Sequence, residues 1–114
     1  MMAFRVLLAA ILATVVAYTA VVISNHGMNL LPVFFGDIAK MEWPGQFNLD
    51  FLGFLVLSAF WLSWRHHFST GGLLLGLLGL FGGVPVLCAY LLGASVRANG
   101  DVKVLLLGRK RAES

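Results

Sequence analysis

Few side chains in this sequence can do acid–base chemistry, and Asp50 stands in the most telling place, at the mouth of the hydrophobic run 49–64. A carboxylate beside hydrocarbon is costly and calls for a reason. Two readings stand side by side. If Asn48 caps a helix beginning there, Asp50 falls in its first turn, where unpaired N–H groups and the helix dipole favour negative charge. If Asp50 faces into a bundle, it becomes a proton donor, a proton carrier or an anchor for a ligand. Its helical neighbours Gly53, Phe54 and Leu57 carry no charge, so a partner must come from another segment. The phenols of Tyr18 and Tyr90 and the imidazole of His26 are the candidates, against their plainer readings as interfacial anchors and a solvated loop residue.

The other reactive side chains point away from metal and redox chemistry. His66 and His67 are adjacent, so on a helix they diverge, and no third ligand is near in sequence. Cys88 is the single cysteine, which excludes a disulfide or a cysteine-ligated cluster within one chain and leaves a small hydrophobe in an apolar segment. The sequence contains no phosphate-binding loop, nucleophile triad, haem attachment site or nucleic-acid module. It therefore predicts no metal, no cofactor and no nucleic-acid partner.

The elements that must position these residues are hydrophobic. Apolar residues make up 60% of the 114 and charged residues only 11%, against roughly 25% charged in a soluble domain. A chain this short cannot hide that much apolar surface in its own core, so lipid or partner helices must cover it. The patterning predicts an all-α membrane protein forming a single domain, with three transmembrane helices at about 4–24, 47–64 and 71–96 and a short interfacial helix at about 31–42. The first run would rise about 31 Å, matching a hydrocarbon core of about 30 Å. Its competing reading is a signal peptide, disfavoured by the length of the apolar run and by Tyr18 at the best cleavage pattern. Trp61, Trp64 and Arg65 mark the far boundary of the second span. Pro85, softened by Gly82 and Gly83, predicts a kink in the third.

Between the first two spans, Leu31, Phe34, Phe35, Ile38 and Met41 recur at helical intervals, with Asp37 and Lys40 on the other face. That is an interfacial helix ending at Trp43-Pro44-Gly45, with a re-entrant loop as the alternative. After the third span comes a basic tail, 97–114, whose run 102–107 is too short to cross and reads as a strand, a surface-seeking patch or a partner contact. With three crossings, Arg5 and Arg65 share one side, while Lys40, Arg97, Lys103, Arg109, Lys110 and Arg111 share the other. The positive-inside rule then predicts an outside N-terminus and a cytoplasmic C-terminus.

Small residues give the strongest packing signal. Gly72, Gly76, Gly79 and Gly83 fall on one helical face, and Ala9, Ala13 and Ala17 draw a similar stripe along the first span. Such stripes let helices approach closely, either within the chain or between copies.

The stretch HGMNLLPVFFGDIAKMEWPGQFNLDFLGFLVLSAFWLSWRHHF, followed by a glycine-rich span and VRANGDVKVLLLG, resembles small bacterial integral-membrane proteins of the domain-of-unknown-function kind. Residues 29–37, 43–50 and Trp64-Arg65 are its most distinctive pieces. The resemblance implies a bacterial inner-membrane location. It also implies a distant similarity to small fungal membrane terpene cyclases, and through them an isoprenoid substrate with Asp50 as the protonating acid. Three functions compete on these features. The leading expectation is a non-enzymatic accessory or self-associating membrane subunit whose partners are the bilayer and a second copy or another membrane protein. A lipid or isoprenoid enzyme comes second, and a proton-coupled carrier built as an oligomer comes third.

Overall fold

The computed structural model describes residues 1–113, and all their regular structure is helical. In chain order the helices are α1 (Met2–His26), α2 (Leu30–Ala39), α3 (Trp43–Arg65), α4 (Thr70–Gly82), α5 (Val84–Arg97), α6 (Val102–Leu107) and α7 (Arg109–Ala112). Among the described residues, only α1 and α3 are long and apolar enough to cross a membrane. Their lengths are about 37 and 34 Å at about 1.5 Å per residue. Neither is buried as a core helix within this chain: only 6% of the most apolar window of α1 and 11% of that of α3 is covered. Their side chains face outward.

The expected third crossing is not one helix. Gly72 near the start of α4 lies against Ser63 of α3 and His66 just after it, and Gly83 at its end lies against Phe51 and Leu55, so α4 descends antiparallel to α3. The chain then reverses, and Tyr90 of α5 stands back beside Trp61 and His66. Gly83 makes the corner with φ 69°, a left-handed conformation that costs a side chain dearly, while its N–H closes α4 on the Gly79 carbonyl. Pro85 opens α5, where its missing N–H is no loss. Pro85 was expected to kink a continuous helix, but with Gly82-Gly83 ahead of it the chain has both the freedom and the break needed for a full turn. Each arm of the resulting hairpin is about 20 Å long, so the 71–96 segment leaves from the end it entered.

This reversal also brings the N-terminal residues and the 97–113 segment to one end of the molecule. α1 runs antiparallel to α5, with Met1 against Gly100 and Arg5 bonded to Ser95. Leu8 is the buried residue of this contact face. Every Lys and Arg except Lys40 accordingly gathers at one end of the molecule, and Asp37, Glu42 and Asp50 stand toward the other. We call these the basic and acidic ends.

At the acidic end, the residues expected to form an interfacial helix form α2, shorter than expected at its C-terminal side. Trp43-Pro44-Gly45 does not finish it but begins α3, after a turn through Met41 at φ 57°. Gly45 is buried under α2, where a Cβ would collide with the Asp37 carbonyl. The N-cap position of α3 belongs to Glu42, and Asn48 instead donates from Nδ2 to the Phe34 carbonyl at 3.1 Å. Asn48 therefore pins α2 to α3 rather than capping a helix. Asp50 is not in a first turn.

At the basic end, the 97–114 segment is more ordered than a tail. Asp101 caps α6 by accepting from the backbone N–H groups of Lys103 and Val104 at 3.0 and 3.4 Å. The run 102–107 is thus a helix rather than a strand. Leu105 is buried with Ala94 and Ala98, and Met1, Phe4 and Tyr90 pack around them.

Candidate functional site

The densest polar constellation lies where α3, α5 and α6 meet. Arg65 is the last residue of α3, and its Nε and Nη2 donate to the carbonyls of Leu105 and Val104 at 2.7 and 3.2 Å. The indole Nε1 of Trp61 donates to the Leu106 carbonyl at 3.1 Å. The last carbonyls of a helix have no partners within it, and here side chains from α3 supply donors to those of Leu105 and Leu106, while the Val104 carbonyl also accepts from the Gly108 N–H at 2.9 Å. The same logic repeats nearby. Arg111 donates to the Trp64 carbonyl at the end of α3 and stacks 4.0 Å above the Trp64 ring. Arg109 donates to the Arg97 carbonyl at the end of α5, at 2.8 Å. Cations at helix C-termini are favoured by the dipole as well as by these bonds.

Arg65 keeps one donor for another purpose. Its Nη1 lies 2.6 Å from the Tyr90 hydroxyl, and that hydroxyl lies 2.6 Å from Nε2 of His66. The guanidinium can only donate, so the phenol accepts from Arg65, and its own proton is free to bond His66 in the neutral tautomer that leaves Nε2 bare. Burial comes first in holding the His66 imidazole below its ordinary pKa, and the charges of Arg65, His67 and Arg97 add to it. Tyr90 is thereby fixed between a permanent cation and an imidazole kept neutral, with the Trp61 ring edge-on at 6.1 Å.

The second feature is a half-enclosed cavity of about 680 Å³ toward the acidic end, below the α4–α5 corner. Phe34 and Phe35 of α2, Phe51 and Leu55 of α3, Val15 of α1 and Phe81 of α4 are among its walls. Thr19 is the single polar side chain in the lining, and no titratable group belongs to it.

The residues singled out from sequence are dispersed. Asp50, the eighth residue of α3, is exposed, and among the described residues nothing bonds to it. Tyr18 is 73% exposed on α1, and His26 is exposed at its end. Tyr90 belongs to the Arg65 and His66 cluster, at the opposite end from Asp50. His67 and Phe68 form the left-handed turn after α3, and Cys88 is buried on α5. Among the described residues no three His, Cys, Asp or Glu side chains come together as a metal site would need. Gly72, Gly76 and Gly79 are buried against α3, and Gly83 forms the corner. Ala9, Ala13 and Ala17 face outward, outside the contact of α1 with α5.

Arg5, Ser95 and Arg111 carry the basic end and were not among the sequence candidates. Their signal was available only in part: Asp101 ahead of an apolar hexamer has the look of an N-cap, and the cations follow helix ends. Comparison with protein-family models, with curated proteins and with solved structures finds no match to this chain.

Proposed function

We propose that this chain is an integral membrane protein that crosses the bilayer twice, through α1 and α3, with α4 and α5 as a re-entrant hairpin, and that it works as a non-enzymatic accessory or self-associating subunit. The observation that carries the non-enzymatic reading is separation. The apolar cavity has no titratable group in its lining, and the Arg65, Tyr90 and His66 cluster contributes nothing to that lining. Acid–base catalysis needs a group within hydrogen-bond reach of the reacting atom. The outward-facing Ala9, Ala13 and Ala17 stripe supports self-association, since small residues allow close approach between copies.

The charge distribution supports an orientation. With all Lys and Arg except Lys40 at one end, the positive-inside rule puts that end, with both chain ends, in the cytoplasm. In a bacterium this is the inner membrane. Crosslinking in native membranes tests the subunit reading: a ladder of copies, or a reproducible heterologous partner, is expected. A chain that stays monomeric and unaccompanied at native abundance defeats it.

A lipid or isoprenoid enzyme is the second reading, favoured by the size and apolarity of the cavity. It requires Asp50 to reach a substrate from outside the lining. Loss of turnover of an isoprenoid substrate in Asp50→Asn would establish it, and full retention would remove Asp50 from the mechanism.

A further inference from the structure

We infer that the cavity beneath the α4–α5 corner is a binding site for one acyl chain of a phospholipid from the leaflet on the α2 side. The inference rests on the proposed membrane reading, and its physical basis is a mismatch of lengths. α4 and α5 are too short to reach the acidic end, so their corner stops at the level of Phe51 and Leu55 of α3 and of Val15 and Thr19 of α1. Counted along α1, Thr19 is about 26 Å from Met2, and Phe51 is about 12 Å from the start of α3. The space therefore lies at hydrocarbon depth on one side, floored by Phe34 and Phe35 of α2.

Such a void does not stay empty without cost, because its walls forgo dispersion contacts. Water does not fill it well either, since a lining with one hydroxyl offers too few hydrogen-bond partners. At about 30 Å³ per water-sized group, the share one water takes in the liquid, 680 Å³ takes on the order of twenty such groups, the scale of a single lipid tail and not of a whole lipid. The bulk solvent at that depth is acyl chain. The fold thus leaves a notch that the bilayer itself completes.

A test uses the full chain reconstituted in phosphatidylethanolamine and phosphatidylglycerol vesicles doped with a phospholipid carrying a diazirine midway along one acyl chain, with labelled positions mapped by mass spectrometry. The expected result is labelling at Phe34, Leu52 and Leu55, half-buried residues of the lining, several-fold above that of the outward residues Leu57 and Val21. Val15→Trp and Leu31→Trp, which fill the space from different walls, should each reduce cavity labelling several-fold while leaving Leu57 and Val21 labelled. The Leu57 and Val21 signal also reports folding and insertion. Labelling of the outward residues with no enrichment in the cavity overturns the acyl-chain site while leaving the membrane reading intact. Labelling of neither defeats both. Recovery of an isoprenoid or a second copy in the cavity in place of the acyl label overturns the assignment of the occupant.

Discussion

Arg5 holds Ser95 twice, Nε to the hydroxyl at 3.0 Å and Nη2 to the carbonyl at 3.1 Å, across ninety positions of sequence. The bond ties the beginning of α1 to the end of α5 and makes the two antiparallel. With α4 and α5 folded as a hairpin, the N-terminus and α6 lie at one end of the molecule, and the proposed two-crossing reading predicts that both are on one side of the bilayer. Single cysteines at Ala3, Lys40 and Lys103 in a Cys88→Ala background, probed with an impermeant maleimide, check this. Ala3→Cys and Lys103→Cys should behave alike and be protected in intact cells, with Lys40→Cys reactive. Opposite behaviour of Ala3 and Lys103 would restore three crossings.

The hairpin depends on Gly83. At φ 69° an L-residue is strained, by about 1–2 kcal/mol, and a Cβ there would also sit 3.3 Å from the Phe51 ring. Gly83→Ala should therefore destabilise the protein by about that amount. Gly93→Ala is the matched control, since a Cβ at Gly93 meets nothing within 4 Å and alanine favours a helix interior by up to about 1 kcal/mol. Denaturation by SDS titration in mixed micelles, followed by circular dichroism, should move the two midpoints in opposite directions.

A second glycine pair separates packing from propensity. A Cβ on Gly76 would collide with the Ser63 hydroxyl and come within 2.8 Å of the Ala59 carbonyl, which is backbone and cannot swing aside. Gly76→Ala should push α4 off α3 and cost about 1–3 kcal/mol, the usual range for overpacking. Gly71, one residue before the buried Gly72, faces open space, so Gly71→Ala should be neutral or slightly stabilising by the same SDS assay. Equal losses at both positions would mean that the α3–α4 seam is not the contact described.

What the sequence made legible follows from what periodicity can carry. The apolar runs of α1 and α3, the interfacial α2 and the small-residue face of α4 are all local patterns, and each stands close to where its residues suggest. The reversal at Gly83 is different. Gly82-Gly83 followed by Pro85 is equally compatible with a kinked helix and with a turn, and only the docking of Tyr90 against Arg65 and His66 selects the turn. Asn48 misled for a related reason: it has the chemistry of a cap, yet Pro44 lets α3 begin at Trp43, more than a turn earlier, and the freed amide bonds α2 instead. Asp50 drew attention as the lone acid of an apolar run, but with α3 begun earlier it falls on the outward face. The site at the basic end was least legible because its arginines act on backbone carbonyls, which have no sequence signature.

The Arg65, Tyr90 and His66 chain predicts a stability that depends on pH in a definite direction. The folded state holds His66 below its ordinary value of 6.5, so the unfolded chain binds the proton more readily, and stability rises with pH through this window. The contribution is fully present above about pH 6.5 and is lost as pH falls through the lower folded value. Protonation puts a donor on Nε2, where the Tyr90 hydroxyl now gives its proton, and adds a cation beside Arg65. Melting in detergent should therefore be flat from pH 8 to 7 and fall toward pH 5. In His66→Gln the slope assigned to this residue should vanish. Tyr90→Phe should cost about 1–3 kcal/mol at neutral pH, because it removes the bonds to both Arg65 and His66 while Arg65 keeps its two carbonyls on α6. If His66→Gln retained the full acid sensitivity of the parent, the titrating group would lie elsewhere and the neutral imidazole in this chain would be refuted.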